Sequence, residues 1–256
     1  MDPRFAGIDR LYGTGAVARL ARAHVAVVGL GGVGSWAAEA LARSGVGRMT
    51  LIDADDVCVS NVNRQAHALE GAFGRAKVAV MAERLRAIHP ALRVEPVAEF
   101  VTVNNLAQLL DRGYDAVVDA CDALRVKVDM IAFCRRRKLP LVVSGSAGGR
   151  TDPTLIVSRD LSRTEHDVLL GLVRRKLRDE YGWTRNPKRY FGVPAVYSRE
   201  NVRYPQADGS VCRMRPTSPA GALKLDCSGG LGAAMHVTAT FGMVAAARVI
   251  ERLLHD

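Results

Sequence analysis

No two cysteines in this chain have C-x-x-C spacing, and they number five: Cys58, Cys121, Cys134, Cys212 and Cys227. An odd, scattered set excludes a disulfide scaffold and a zinc knuckle and implies a reducing compartment, so the expected location is cytoplasmic. The opening residues MDPRFAGIDR lack the apolar core of a signal peptide. No long hydrophobic run is unbroken. Leu231 to Ile250 comes nearest, but Gly232, His236, Thr238, Thr240, Gly242 and Arg248 interrupt it. It reads as a buried, small-residue helix rather than a membrane span. The chain has neither an internal repeat nor a low-complexity tract. Acidic residues are in deficit: 26 against 36 basic, a net charge of +10. That balance points to a polyanionic partner, nucleic acid ahead of a membrane, or to a basic surface kept for solubility.

What is present is an ordinary globular composition, 48% hydrophobic and 24% charged over 256 residues, enough to bury a real core. The organising stretch runs from His24 to Asp53. Val25–Val28 is a short apolar run suited to a buried parallel strand. Gly29-Leu30-Gly31-Gly32-Val33-Gly34 follows at once. Ser35 to Ala42 carries helix formers that Ser44-Gly45 stop, and Arg48 to Ile52 is a second strand ending in Asp53. Glycines let the backbone approach a phosphate, and the helix behind them presents free N–H groups and its positive dipole end. Asp53 is placed to accept hydrogen bonds from ribose hydroxyls. The pattern fits a nucleotide site and leaves a dinucleotide and an adenine mononucleotide both open.

Before this stretch, residues 1–23 form an arm carrying Arg4, Arg10, Arg19 and Arg22. The arm is either solvated surface or a reach toward a phosphate, in its own site or across a dimer interface. After Asp53, ADDVCVSNVNRQAHAL reads as a loop at the carboxyl ends of the strands, where open α/β sheets bind ligands. It holds Asp55, Asn61, Asn63, Arg64 and Gln65. Gly74 to His89 is amphipathic, with Val78, Met81, Leu85 and Ile88 at helical spacing. Lys77 falls in its first turn, which a cation disfavours unless an anion docks there.

Further strands are expected at Leu92–Val97, Tyr114–Asp119 and Leu141–Ser144, with helices at Asn104–Leu110 and Arg125–Lys138. Asp122, past the fourth strand, stands at the ligand edge or caps the next helix. The alternation predicts a Rossmann-like, doubly wound, mostly parallel α/β sheet with helices on both faces. Beyond Arg150 the pattern changes. A strand at Leu155–Ser158, a helix over Leu161–Tyr181, a substrate-side excursion over Trp183–Asp208, a glycine cluster at Cys227–Gly232 and a final helix near His236–Leu254 are expected. Three basic clusters, Arg135–Lys138, Arg174–Arg178 and Lys188-Arg189, have Tyr181, Trp183, Tyr190 and Phe191 interleaved around the last two. Phosphate contacts with base stacking on aromatics would make these an RNA surface; solvated helix ends and core aromatics are the plainer account.

The turn GLGGVGS, Asp53, the spacing Asn61-x-x-Arg64-Gln65 and Lys77 resemble the ubiquitin-activating-type superfamily of adenylating enzymes. The segments RFAGIDRLYG, DDVCVSNVNRQ, FCRRRKLPLV, YPQADGSVC and DCSGGLGAA extend the likeness over nearly the whole length. They resemble its tRNA threonylcarbamoyladenosine dehydratase branch. The resemblance implies one adenylation domain over residues 1–256: the arm 1–23, an ATP-binding core 24–150 and a substrate-side and dimerisation extension 151–256. It implies a homodimer, ATP with Mg2+, a sodium or potassium ion in some members, tRNA as substrate, and room for a sulfur-relay protein partner. By the same carry-over, Gly29, Gly31, Gly32, Gly34, Asp53, Asp55, Asn61, Arg64, Gln65 and Lys77 hold the nucleotide. Arg64, Lys77 and Asp122 are catalytic, with Asp122 at the magnesium. A basic arm residue, Arg10 ahead of Arg4, reaches the partner subunit's site, and Gln65 supports Arg64. Cys212 and Cys227 are the better candidates for a thiol role, although the chemistry requires none. The implied reaction is ATP-dependent cyclisation of threonylcarbamoyladenosine at tRNA position 37 through an acyl adenylate. The alternatives are an adenylating activator of a small sulfur-carrier or ubiquitin-like protein, an NAD-dependent oxidoreductase that gives Asn61, Arg64 and Lys77 no role, and a non-enzymatic nucleotide-binding scaffold.

Overall fold

In the computed structural model, described over residues 2–206, 208–214 and 231–255, the chain starts with two short helices, α1 (Ala6–Tyr12) and α2 (Ala16–Arg22). The organising stretch then forms β1 (His24–Val28), α3 (Gly34–Arg43) and β2 (Arg48–Ile52), within a residue or two of the expected limits. The long loop after β2 leads to α4 (Lys77–Ile88), β3 (Arg93–Val97), α5 (Leu106–Leu110), β4 (Ala116–Asp119), α6 (Leu124–Arg137) and β5 (Leu141–Ser144). Next come β6 (Ile156–Asp160), α7 (Val168–Tyr181), β7 (Pro194–Ser198), a small hairpin of β8 (Tyr204–Pro205) and β9 (Val211–Cys212), and α8 (Met235–His255).

Seven strands join in one sheet in the order β3-β2-β1-β4-β5-β7-β6. All pairings are parallel except β6 with β7. The strands are short and apolar because both faces are covered, and successive side chains point to opposite faces. Val25, Val27, Met49, Leu51, Val118 and Val142 face a core shared with α2, α3, α4 and α8. Ala26, Val28, Ile52, Val117, Val143 and Tyr197 face the other, shared with α5, α6 and α7.

The apolar run near the C-terminus is explained by this packing. Gly242 lets α8 lie against α3: a Cβ there would meet the Val33 carbonyl oxygen at 2.6 Å and the Ala37 nitrogen at 2.8 Å. Among the described residues no helix is long and apolar enough to cross a membrane.

Two expectations for the second half are corrected. The helix expected from Leu161 begins at Val168, because Leu161–Arg163 is a single 3-10 turn and the Asp167 carboxylate caps α7 by accepting from Leu170 N–H. Trp183–Asp208 is not one excursion. It contains β7, whose residues 195–198 are buried beside β5, with Pro194 at the first strand position where a missing N–H costs least. Because β7 runs parallel to β5, residues 183–193 lie at the amino edge of the sheet and only residues 199–214 return to the carboxyl edge. Cys227 and the glycine cluster up to Gly230 lie outside the described residues.

Candidate active site

β1 lies between β2 and β4, which diverge toward opposite sides of the sheet, so the crevice beyond its carboxyl end is a topological switch point. The glycine turn sits there. Gly29 donates to Ile52 O at 2.9 Å and adopts φ +86°; a Cβ on it would press on the Ala120 carbonyl at 3.0 Å. A Cβ on Gly34 would stand 1.8 Å from Gly29 O, so the turn closes only with glycine. A Cβ on Gly32 would meet the Thr238 side chain of α8 at 3.1 Å. Gly31 differs: nothing lies within 4 Å of where its Cβ would be. Three glycines serve close packing, and the fourth faces open space that a ligand can enter.

Asp53 ties the turn to the next loop. Its Oδ2 accepts from Leu30 N–H at 2.6 Å and its Oδ1 from Asp55 N–H at 2.9 Å. Each oxygen keeps a further lone pair for a ribose hydroxyl. Lys77 opens α4 with its side chain only 6% exposed, and the anion beside it is Asp55, with Nζ 2.7 Å from Oδ2. Asp55 itself is 53% exposed, so the lysine's counter-charge stands at the mouth of the site.

Asn61 is buried, and its Oδ1 accepts from Cys58 N–H at 3.0 Å, closing the turn that presents Arg64. The Arg64 guanidinium donates to Ser60 O at 2.7 Å and to Asn63 Oδ1 at 2.9 Å, while its carbonyl accepts from Trp36 Nε1 at 2.9 Å. Asn63 in turn donates to Ala233 O at 2.7 Å, pinning this loop to the start of α8. The Gln65 side chain is buried, with its Oε1 unpartnered among the described residues.

Beside them, His67 is fully buried with both ring nitrogens unpartnered. Burial, reinforced by Lys77 and Arg84, lowers its pKa to about 4, so the ring is neutral.

Asp122 is exposed in the loop after β4, whose Ala120 and Cys121 touch Gly29. It does not cap α6: Ala123 is the cap residue, and no side chain bonds the helix start. Sequence reasoning passed over the pair beneath it. Lys127 Nζ and Asp119 Oδ1 are 2.8 Å apart, and both side chains are wholly inaccessible. Burial opposes the lysine's charge, but Asp119 and Cys121 outweigh it and raise its pKa. The signal was a lysine four residues before Ile131 on the buried face of α6.

Two thiols near the site are not activated: burial and Asp119 hold Cys121 well above its usual range, and burial pushes Cys134 up to about 12. Cys58 is exposed in the loop. Cys212 is half-buried in the hairpin, with its Sγ 3.5 Å from Met214 O.

Other loops wall the same edge. Arg150 is buried, donates to Ser146 O, Gly148 O and His166 O, and lies 3.6 Å from Asp167. Glu200 accepts from Thr151 N–H at 2.8 Å and Asp152 N–H at 2.9 Å, and Gly149 O accepts from Arg203 N–H at 2.8 Å.

The structure thus brings the four glycines, Asp53, Asp55, Asn61, Arg64, Gln65, Lys77 and Asp122 to one edge. Arg10 is not among them. The arm is anchored at the opposite, amino edge, where Gly47 and Arg48 donate to Leu20 and Ala23 carbonyls and Phe5 packs on His89. Arg4 is occupied by Asp2 at 2.9 Å. The basic clusters also lie mostly at the amino edge. Of their aromatics only Tyr190 is well exposed, since Phe191 packs edge-on against Trp183, and Tyr181 OH bonds Asp129 at 2.5 Å. The Arg174 guanidinium is held by the Thr164 hydroxyl.

Known proteins resemble this chain in sequence and in fold. The ThiF family model matches residues 6–255. The Escherichia coli tRNA threonylcarbamoyladenosine dehydratase is 51% identical over 98% of this chain and 93% of its own length. A crystal structure of the E. coli enzyme in complex with ATP superposes with a TM-score of 0.84 at 47% identity, covering 98% of this chain and 93% of that one. The E. coli molybdopterin-synthase adenylyltransferase is 38% identical but matches only 48% of this chain and 49% of its own. The chain therefore belongs to the ThiF family, and within it to the tRNA threonylcarbamoyladenosine dehydratases.

Proposed function

We propose that this protein catalyses ATP-dependent dehydration of threonylcarbamoyladenosine at position 37 of tRNA, closing a ring through a carboxyl adenylate. A carboxylate is a poor electrophile. Its oxygen attacks the α-phosphorus of ATP, pyrophosphate leaves with the bonding pair, and the acyl carbon gains AMP as leaving group. A nitrogen or oxygen of the same modified base then attacks that carbon, AMP departs, and the net change is loss of one water. The protein's task is to bring two anions together and offset their charge. The observation that carries this reading is the joint placement of the open Gly31, the Asp53 carboxylate and the cations Arg64 and Lys77 in one crevice.

In this reading the triphosphate enters across Gly31 with Gly29, Gly32 and Gly34 shaping the turn, and Asp53 holds the ribose. Asn61, Arg64 and Lys77 hold the phosphates, and Gln65 and Asp55 support them. A buried lysine already paired with Asp55 needs only to exchange that carboxylate for a phosphate oxygen. Asp122, exposed and without a hydrogen bond or ion pair among the described residues, suits Mg2+, which one or two carboxylates, substrate phosphates and water ordinarily hold. Bound there, the ion would neutralise the leaving pyrophosphate. The partner subunit's Arg10 completes the site in a homodimer, which accounts for an arm anchored at the far edge of its own chain. A monovalent cation is carried with the proposal without assigned residues, and no residue is assigned to a sulfur-relay partner.

The test is mass spectrometry of nucleosides from tRNA bearing threonylcarbamoyladenosine, incubated with protein and Mg-ATP. ATP-dependent loss of one water is expected. An unchanged nucleoside with a protein that still binds ATP would favour activation of a small carrier protein instead.

A further inference from the structure

We propose that a cleft at the amino edge of the sheet, remote from the nucleotide crevice, binds the phosphate backbone of RNA. It would hold the part of the tRNA that lies away from the modified base, and in that respect it rests on the function proposed above. A cavity of about 610 Å3 opens between the end of α2, the loop before β4, the end of α6 and the last turn of α8. Arg19, Arg22, Arg137, Lys138 and Arg252 line it, against two carboxylates, Asp111 and Asp115. Both carboxylates are engaged: Asp115 Oδ2 accepts from His24 N–H at 2.7 Å, and Asp111 pairs with Arg137 at 3.1 Å. Arg19 donates to Leu254 O at 2.6 Å. Arg22 and Lys138 are exposed, and neither side chain has a hydrogen bond or ion pair among the described residues.

Cations in a last helical turn offset the helix dipole, which accounts for Arg22 on α2 and Arg137 on α6. It does not account for Lys138. This residue follows α6 in the left-handed region, at φ 56°, where glycine or asparagine is favoured and a lysine is strained. Among the described residues its ammonium has no hydrogen bond or ion pair to offset that strain. A phosphate in the cleft would.

The positive face also continues beyond the cavity. The Arg135 guanidinium lies against Gly192, and the loop leading there exposes Lys188 and Arg189. Beside them the Arg163 guanidinium stacks 4.8 Å over the ring of Tyr190, which is 66% exposed. A strip of cations with one exposed aromatic fits a run of phosphates with an adjacent base better than a single small anion.

The test compares the parent with the double variant Arg22→Ala/Lys138→Gly. Glycine suits the backbone at 138, so the variant keeps its thermal midpoint. Binding of tRNA is measured against salt, and ATP-dependent dehydration is measured at saturating tRNA. The expected result is about tenfold weaker tRNA binding near 0.1 M salt and a salt slope smaller by roughly 1 to 2, with turnover and ATP KM unchanged. A parent that dehydrates its tRNA while the variant matches it in affinity and slope overturns the cleft and leaves the function standing. Weaker binding by the variant, with no dehydration by either protein, upholds the cleft and overturns the function. Loss of inorganic pyrophosphate binding with tRNA binding intact would make the cleft a small-anion site and overturn the RNA assignment.

Discussion

The two edges of the sheet handle charge in opposite ways. At the carboxyl edge most cations have an anion beside them: Lys77 with Asp55, Lys127 with Asp119, Arg150 with Asp167. At the amino edge Arg22 and Lys138 stand in a cleft whose carboxylates are already spent on other partners. Part of the excess of +10 therefore sits away from the nucleotide crevice. A catalytic pocket needs its charges preorganised and compensated until substrate arrives, because an unpaired buried charge is costly. A surface that grips a polyanion needs the reverse: exposed cations whose gain comes from released counterions.

Lys127→Met puts the compensated edge under the greatest strain. It leaves Asp119 buried without its ion-pair partner, and a stability loss of about 3–5 kcal/mol is expected in denaturant unfolding, most of it recovered by adding Asp119→Asn. A loss under about 1 kcal/mol would show that the pair is dispensable. Lys77→Ala removes a cation whose partner is exposed, so the fold should survive while adenylation, read as ATP–pyrophosphate exchange, falls about 10^3-fold, about 4 kcal/mol. Normal exchange would remove Lys77 from the site.

His67 gives the pH arm of the comparison. Its folded pKa is about 4, below the ordinary value of 6.5. Below pH 6.5 the unfolded chain takes up a proton that the folded chain refuses, so stability falls between pH 6.5 and 4, by up to about 3 kcal/mol. His67→Gln should flatten that slope, leaving the smaller contributions of His24 and His89, which shift the same way through burial. An unaltered slope would place the proton uptake elsewhere. The smallest effect is expected from Gly31→Ala. With open space around it, the variant should unfold like the parent while KM for ATP rises about tenfold, about 1.4 kcal/mol. An unchanged KM would mean that nothing passes over Gly31.

The nucleotide crevice was legible because its parts are close in sequence and locally coded. An apolar strand, a glycine turn and an acidic strand end declare themselves within thirty residues, and Asn61, Arg64 and Lys77 follow at a recognisable spacing. Lys127 and Asp119 were not legible. A lysine and an aspartate eight residues apart look like surface until the packing of α6 on β4 buries both. β7 was missed for a similar reason. Its flanks, rich in proline, charge and aromatics, mimic a loop, and only its place beside β5 makes it a strand.

What the sequence determined by itself was therefore the local chemistry: the turn, the strand–helix alternation, the candidate nucleotide-binding set, and a basic composition. What only the tertiary structure decided was the side on which each part lies. α6 returns antiparallel to the parallel strands it connects, and α2 ends where β1 begins, so the basic ends of both lie at the edge opposite the glycine turn. The direction of β7 sends residues 183–193 there as well. Spacing along a chain records neighbours within a turn or a strand, and the handed crossovers between strands decide which end of the sheet each neighbour reaches.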